Sequence, residues 1–233
     1  MDTLRMIFLL DYSYSMKGTK ITQVNQALPS VINKLHEEAK ENKIQISLHI
    51  IAFSNDATWI IGDMAKGVIL GAGIDDDALL GVWKKDLEAD GITDTDKAIR
   101  LANEALSKTY LGDHALRPVV ILMTDGICTC SMEDYTAVID EMKRKLSGNT
   151  GKEKVTRIAI GVGDDYDKEQ LELFASQGII GEERDLPLIF DVKNVDQLAK
   201  TINWVAISSM HSSITTNNDN ESITLPDPDD VWA

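Results

Sequence analysis

Residues 7–10, Ile-Phe-Leu-Leu, form an unbroken apolar run that stops at Asp11, after which Ser13 and Ser15 follow at every second position. A run of this kind, ended by a polar cluster, suits a strand buried on both faces. The cluster then lies at the carboxyl end of the strand, where open α/β sheets place their ligand sites. A second run, residues 119–123, ends in the same way in Thr124-Asp125-Gly126. Between them, residues 21–40 carry Val24, Leu28, Val31, Ile32, Leu35 and Ala39 at spacings of three and four, the stripe of an amphipathic helix, with Pro29 predicting a kink.

The remaining pattern alternates in type. Residues 43–53 alternate as a strand, 54–56 form a turn, and 57–61 return as an antiparallel edge strand, with a further extended piece at 68–70. Asp75-Asp76-Asp77 reads as a helix start, with acids where the dipole favours them, and leads into an amphipathic helix over 78–87. Helices are predicted over 95–110, 133–146, 168–175 and 195–208, strands over 155–162 and 188–192, and a turn at 147–151. Strand and helix in alternation are the signature of a mainly parallel sheet covered by helices on both faces. From residue 211 the chain loses Lys and Arg and becomes rich in Ser, Thr, Asn and Asp. This predicts a flexible acidic tail over 211–233 behind a domain over 1–210, with Val231-Trp232 as the one apolar pair suited to docking.

Charge narrows the function. The 23 Lys and Arg stand against 38 Asp and Glu, a net charge of −15, which disfavours nucleic acid and anionic membrane. Nothing in the 233 residues approaches the ~20 apolar residues of a membrane span, and the amino terminus does not read as a secretory signal. A cytoplasmic protein is expected. The two cysteines, Cys128 and Cys130, are expected as free thiols in a reducing compartment, with a redox-sensitive or metal-touching loop as the alternative, since Cys128 follows Asp125 by three residues.

Asp11, Ser13 and Ser15 offer only oxygen, the donor type of Mg²⁺, Mn²⁺ or Ca²⁺ rather than zinc. Each piece also has a structural explanation. Ser13 and Ser15 suit a helix cap, Thr93 with Asp94 and Thr95 suits another, and Asp125-Gly126 is a good turn. Gly163-Asp164-Asp165 closes another strand and reads as a solvated turn in preference to a second cation site. None of His36, His49, His114 and His211 falls in the cluster, and no phosphate loop of the GxxxxGK[ST] kind or GxSxG elbow appears.

The set Asp11-x-Ser13-x-Ser15, Thr93 in Gly91-Ile92-Thr93-Asp94-Thr95, and Asp125 resembles the metal-ion-dependent adhesion site (MIDAS) of von Willebrand factor A (VWA) domains, with all five positions filled. The resemblance implies a three-layer Rossmann-like α/β fold, its central sheet mainly parallel with one antiparallel edge strand. It implies Asp11, Ser13, Ser15, Thr93 and Asp125 as ligands of Mg²⁺ (or Mn²⁺ or Ca²⁺). Tyr12, Tyr14, Met16, Asp94 and Gly126 would form the partner-binding rim. Tyr14 stands where the family more often has glycine. The stretches LRMIFLLDYSYSM, ADGITDTDKAI and VVILMTDG are similar to the bacterial TerY-like, tellurium-resistance-associated group. By that likeness the protein is a non-catalytic interaction module that takes a Glu or Asp of a partner on its metal. A serine/threonine kinase or metal-dependent phosphatase of a stress-response system is the implied associate. Two other functions use the same residues: a metal-dependent phosphoester hydrolase, and a scaffold that needs no metal.

Overall fold

The apolar run at the start of the chain becomes the central strand of a seven-stranded sheet. A computed structural model describes residues 1–84, 86–112, 114–146, 154–193, 197–215 and 223–227. Strand β1 (Thr3–Asp11) pairs in parallel with β2 (Gln45–Phe53) on one side and β5 (Val119–Thr124) on the other. Beyond β5 lie β6 (Thr156–Val162) and β9 (Ile189–Val192), also parallel. The free edge of β2 is covered by two short antiparallel strands, β3 (Ala57–Ile61) along its second half and β4 (Val68–Gly71) along its first.

Alternation along β1 divides the core between the two faces. Leu4, Met6, Phe8 and Leu10 pack toward α1 (Thr19–Glu41) and α6 (Leu198–Thr215). Ile7 and Leu9 pack toward α2 (Thr95–Ala105), α4 (Met132–Arg144) and α5 (Lys168–Phe174). This is the three-layer α/β architecture expected from the alternation of strand and helix. Helix α1 runs unbroken through Pro29, whose ring lies on the exposed side, away from the buried stripe.

Several elements differ from the pattern-based expectation. The helix expected over 78–87 is only a 3₁₀ turn, Asp76–Leu79, started by the Asp75 carboxylate on the Asp77 N–H. Gly81 at φ 76° turns the chain out of helix, and Leu80 is left 80% exposed. The helix expected over 95–110 ends at Ala105 and resumes as α3 (Lys108–Leu111) after a break at Ser107, which is extended at ψ 145°. Composition changes at residue 210, but α6 continues to Thr215, and Ile223 and Leu225 are buried. Strand β10 (Thr224–Leu225) pairs with β7 (Gln177–Ile180), itself paired with β8 (Glu183–Pro187), in a small second sheet. Residues 223–227 are therefore not a bare tail, because two apolar side chains in that polar stretch reach the core. Val231-Trp232 and the turn expected at 147–151 lie outside the described residues. Among the described residues, no helix is long and apolar enough to cross a membrane.

Candidate metal centre

β1 and β5 end side by side, so Asp11 and the Thr124-Asp125 pair emerge together at the carboxyl edge of the sheet. Asp11 and Asp125 are fully buried. One Asp11 oxygen accepts from the Ser13 N–H at 2.7 Å, and the other from the Thr124 hydroxyl at 2.5 Å. Burial raises the Asp11 pKa above its ordinary value; the hydrogen bonds from Thr124 and Ser13 oppose the shift, and the Asp125 charge adds to it. The Ser13 and Ser15 hydroxyls lie 3.0 Å apart, and Ser15 donates to Asp125 Oδ1 at 2.7 Å. Lys20, on the first turn of α1, reaches Asp125 Oδ2 at 2.5 Å.

Thr93 is delivered by a loop strapped on three sides. The Tyr14 N–H donates to Gly91 O at 2.9 Å and the Asp90 N–H to Tyr12 O at 2.9 Å. The turn after β2 contributes Asn55 Oδ1, which accepts from the Ile92 N–H at 2.8 Å, and Ser54 O, which accepts from the Asp94 N–H at 3.0 Å. Gly91 has φ 83°, and a Cβ there would stand 2.6 Å from Asn55 Oδ1, so only glycine closes this strap. The third side is Thr129, whose N–H donates to Thr93 O at 2.9 Å and whose hydroxyl donates to Asp94 Oδ1 at 2.6 Å.

Gly126 sets the space between these groups. A Cβ on it would sit 3.2 Å from Thr93 Oγ1 and 3.4 Å from Ser15 Oγ, filling a cradle that glycine leaves open to both hydroxyls. Five oxygen-bearing side chains, two of them carboxylates, thus lie together at the carboxyl ends of β1 and β5 and on the threonine loop beside them. The capping explanations do not hold. Neither Ser13, at the 3₁₀ turn Tyr14–Met16, nor Asp94, before α2, makes a side-chain cap hydrogen bond, and the N-cap position of α1 is Gly18. The donor set fits a hard divalent cation.

Of the rim residues, Tyr14 is 63% exposed and Gly126 is half-buried. Tyr12 is half-buried against the core. Asp94 is held by Thr129 and by Lys97 at 3.0 Å; burial would raise its pKa, but these hydrogen bonds outweigh it and leave the carboxyl below its usual range. Met16 is a correction. Its side chain is fully buried beside α1 and is part of the core, not the rim. Cys128 and Cys130 are a second correction: they form a disulfide and not a pair of free thiols. Gly163-Asp164-Asp165 is a surface turn with both aspartates exposed. The histidines are used elsewhere, His36 toward Gly71 and Asp76, His211 toward Glu38.

Sequence reasoning did not single out Thr124, Lys20 or Thr129. The first two were legible in principle: Thr124 is the first polar residue after an apolar run, and Lys20 lies five residues past Ser15 at the head of the amphipathic helix.

The match to the family model for the von Willebrand factor type A domain spans residues 6–203. The chain belongs to the von Willebrand factor type A family. It is 26% identical over 167 residues to inter-alpha-trypsin inhibitor heavy chain H6 of Homo sapiens, an alignment covering 69% of this chain and 11% of that protein. A von Willebrand factor type A structure from Catenulispora acidiphila superposes with a TM-score of 0.66 at 17% identity, covering 90% of this chain and 43% of that one. Proximal thread matrix protein 1 from the mussel byssus, in a form with a zinc-occupied MIDAS motif, superposes with a TM-score of 0.58 at 18% identity, covering 88% of this chain and 45% of that one. This chain therefore spans about a tenth of the human relative and under half of each of these structures.

Proposed function

We propose that this VWA domain is a metal-dependent protein-interaction module. Asp11, Ser13, Ser15, Thr93 and Asp125 would hold a divalent cation, Mg²⁺ being the first candidate for an all-oxygen set. When bound, the ion supplies an open coordination position that accepts a carboxylate from a partner. With three of five donors neutral, little of the ion's charge is cancelled, and an acidic side chain is the matching ligand. The zinc-occupied MIDAS of the mussel protein supports the reading by analogy of fold.

The observation that carries it is the surface around the cluster. Each loop that brings a ligand also presents one exposed large apolar side chain: Tyr14 at 63%, Ile92 at 50% and Ile127 at 56%. A polar ligand cluster flanked in sequence by accessible apolar groups has the pattern of a docking surface, with a desolvated anchor and a hydrophobic surround. Asp11 and Asp125 would anchor the ion; Ser15 orients Asp125, Lys20 pairs with its other oxygen, and Thr124 fixes Asp11. The finer setting, a TerY-like stress-response or phosphorylation system in the cytoplasm with a kinase or phosphatase partner, rests on the three sequence stretches quoted above.

The test is capture from native lysate by wild type and by Asp11→Ala, each in Mg²⁺ and in chelator. A partner retained only by wild type in Mg²⁺ is expected. The same proteins in all four conditions would move the contact away from the metal cluster.

A further inference from the structure

We propose that Cys128 and Cys130 are a reversible thiol–disulfide couple that governs how firmly Thr93 is held at the metal centre. The inference rests on the reading of that centre as a cation site and adds a control to it. A bridge across a single residue closes a very small loop, where little unfolded-chain entropy is removed, so global stability is not its main effect. What it fixes is the residue between the two sulfurs, Thr129. Thr129 is the third side of the strap on the threonine loop: its N–H holds Thr93 O at 2.9 Å and its hydroxyl holds Asp94 Oδ1 at 2.6 Å.

The base of this clasp is anchored on both sides. The Cys128 N–H donates to the buried Gln170 side chain of α5 at 2.9 Å. Ser131, next to Cys130, caps α4 by accepting from the Asp134 N–H. With both ends fixed, opening the disulfide frees the conformation of Thr129 and little else. The same loop runs back through Ile127 and Gly126 to Asp125, so one covalent change touches the ground beneath two of the five ligands.

The chemistry balances with a small dithiol as reductant. Cys130 is the more exposed residue of the pair, with Cys128 buried, so the incoming thiolate bonds to Cys130 Sγ and Cys128 Sγ leaves as thiolate and takes up a proton. The second thiol of the reductant, as thiolate, displaces Cys130, which leaves protonated. Two electrons and two protons have then passed to the protein, and the reductant departs as a cyclic disulfide. A small-molecule disulfide such as oxidised glutathione returns the pair by the reverse exchange, releasing two reduced thiols.

The experiment uses the full chain in disulfide and dithiol forms, and a Cys128→Ser/Cys130→Ser variant, with two readouts. One is hydrogen exchange of residues 92–96 and 129 in chelator, which needs no metal. The other is Mn²⁺ affinity by titration. Expected are slower exchange in the oxidised wild type and Mn²⁺ binding about tenfold tighter than in the reduced form, the low end of outer-shell effects. The double serine variant should match the reduced protein and ignore redox treatment. Equal exchange in the two wild-type forms overturns the clasp. Altered exchange with equal Mn²⁺ affinity overturns its control of the site. Altered exchange with no Mn²⁺ bound in either form leaves the clasp standing and overturns the cation reading beneath it.

Discussion

The two ends of β1 bury polar groups in opposite ways. Arg5, near the start, is 4% exposed and spends its guanidinium on backbone: Nη1 on Ala105 O and Met64 O, Nη2 on Ala65 O at 3.1 Å and Tyr110 O at 2.9 Å. Burial lowers the Arg5 pKa, with Asp63 pulling the other way. Neighbouring His49 on β2 is fully buried, paired with Ser47 Oγ at 3.0 Å, and kept neutral by burial and by the Arg5 charge, its pKa lowered to about 4. Six residues further along the strand, roughly 20 Å away, Asp11 and Asp125 sit among hydroxyls with Lys20 as the cation in contact. At the Arg5 end Nη1 and Nη2 are matched to carbonyls, while the buried Nε has no partner among the described residues. At the Asp11 end, oxygen acceptors converge on an open cradle. Burial of charge alone does not mark a functional site; a surplus of one donor type does.

The comparison can be broken at either end. The largest expected effect is Arg5→Met, which leaves one buried and three part-buried carbonyls without this donor and should cost about 4 kcal/mol in urea unfolding. Metal affinity should not change, and a matching loss of Mn²⁺ binding would show that the two ends are not independent. Next comes acid. His49 titrates near 4 when folded and 6.5 when unfolded, so between these values the unfolded chain binds the extra proton. Stability from this group is full above 6.5 and is lost as pH falls through about 4, a change of about 3 kcal/mol at most. Urea midpoints from pH 7 to 4.5 should show it, with a flatter profile for His49→Gln. At the site end, Lys20→Met removes a charge that repels an incoming ion. Its side chain is 22% exposed, so solvent screening leaves about 1 kcal/mol, or a roughly fivefold gain in Mn²⁺ affinity by calorimetry. Smallest is Tyr14→Gly, which should leave the unfolding midpoint within about 0.5 kcal/mol and Mn²⁺ affinity unchanged while weakening partner capture.

Legibility in the sequence followed how strongly each feature depends on local pattern. The buried strands around Ile7 and Val119 and the stripe of α1 stood out because burial on two faces, or one, leaves a regular hydrophobic signal. The ligand cluster stood out because each run breaks at an oxygen-bearing residue. Strand β8, Glu-Arg-Asp-Leu-Pro, carries no such signal: its first three residues are exposed, and it is a strand only through antiparallel pairing with the adjacent β7. β10 has two residues, and its strand character comes only from pairing with β7. Leu79, Leu80, Val82 and Trp83 looked like a helical face, but Gly81 in a left-handed conformation overrides that spacing. Met16 sits among the site residues in sequence yet points into the core, because the 3₁₀ turn Tyr14–Met16 rotates Ser15 toward Asp125 and Met16 toward α1. The role of Thr129 depends on a contact 36 residues away, with Thr93, and no local pattern announces it.

The central claim is that one divalent cation is held where β1 and β5 end. Calorimetric titration of Mn²⁺ into the full chain and into Asp11→Ala tests it most directly, with folding of the variant checked by circular dichroism. The account predicts a single site per wild-type chain and a loss of affinity of more than about 100-fold in the folded variant. Equal binding by both proteins, or no binding by the wild type, would contradict it.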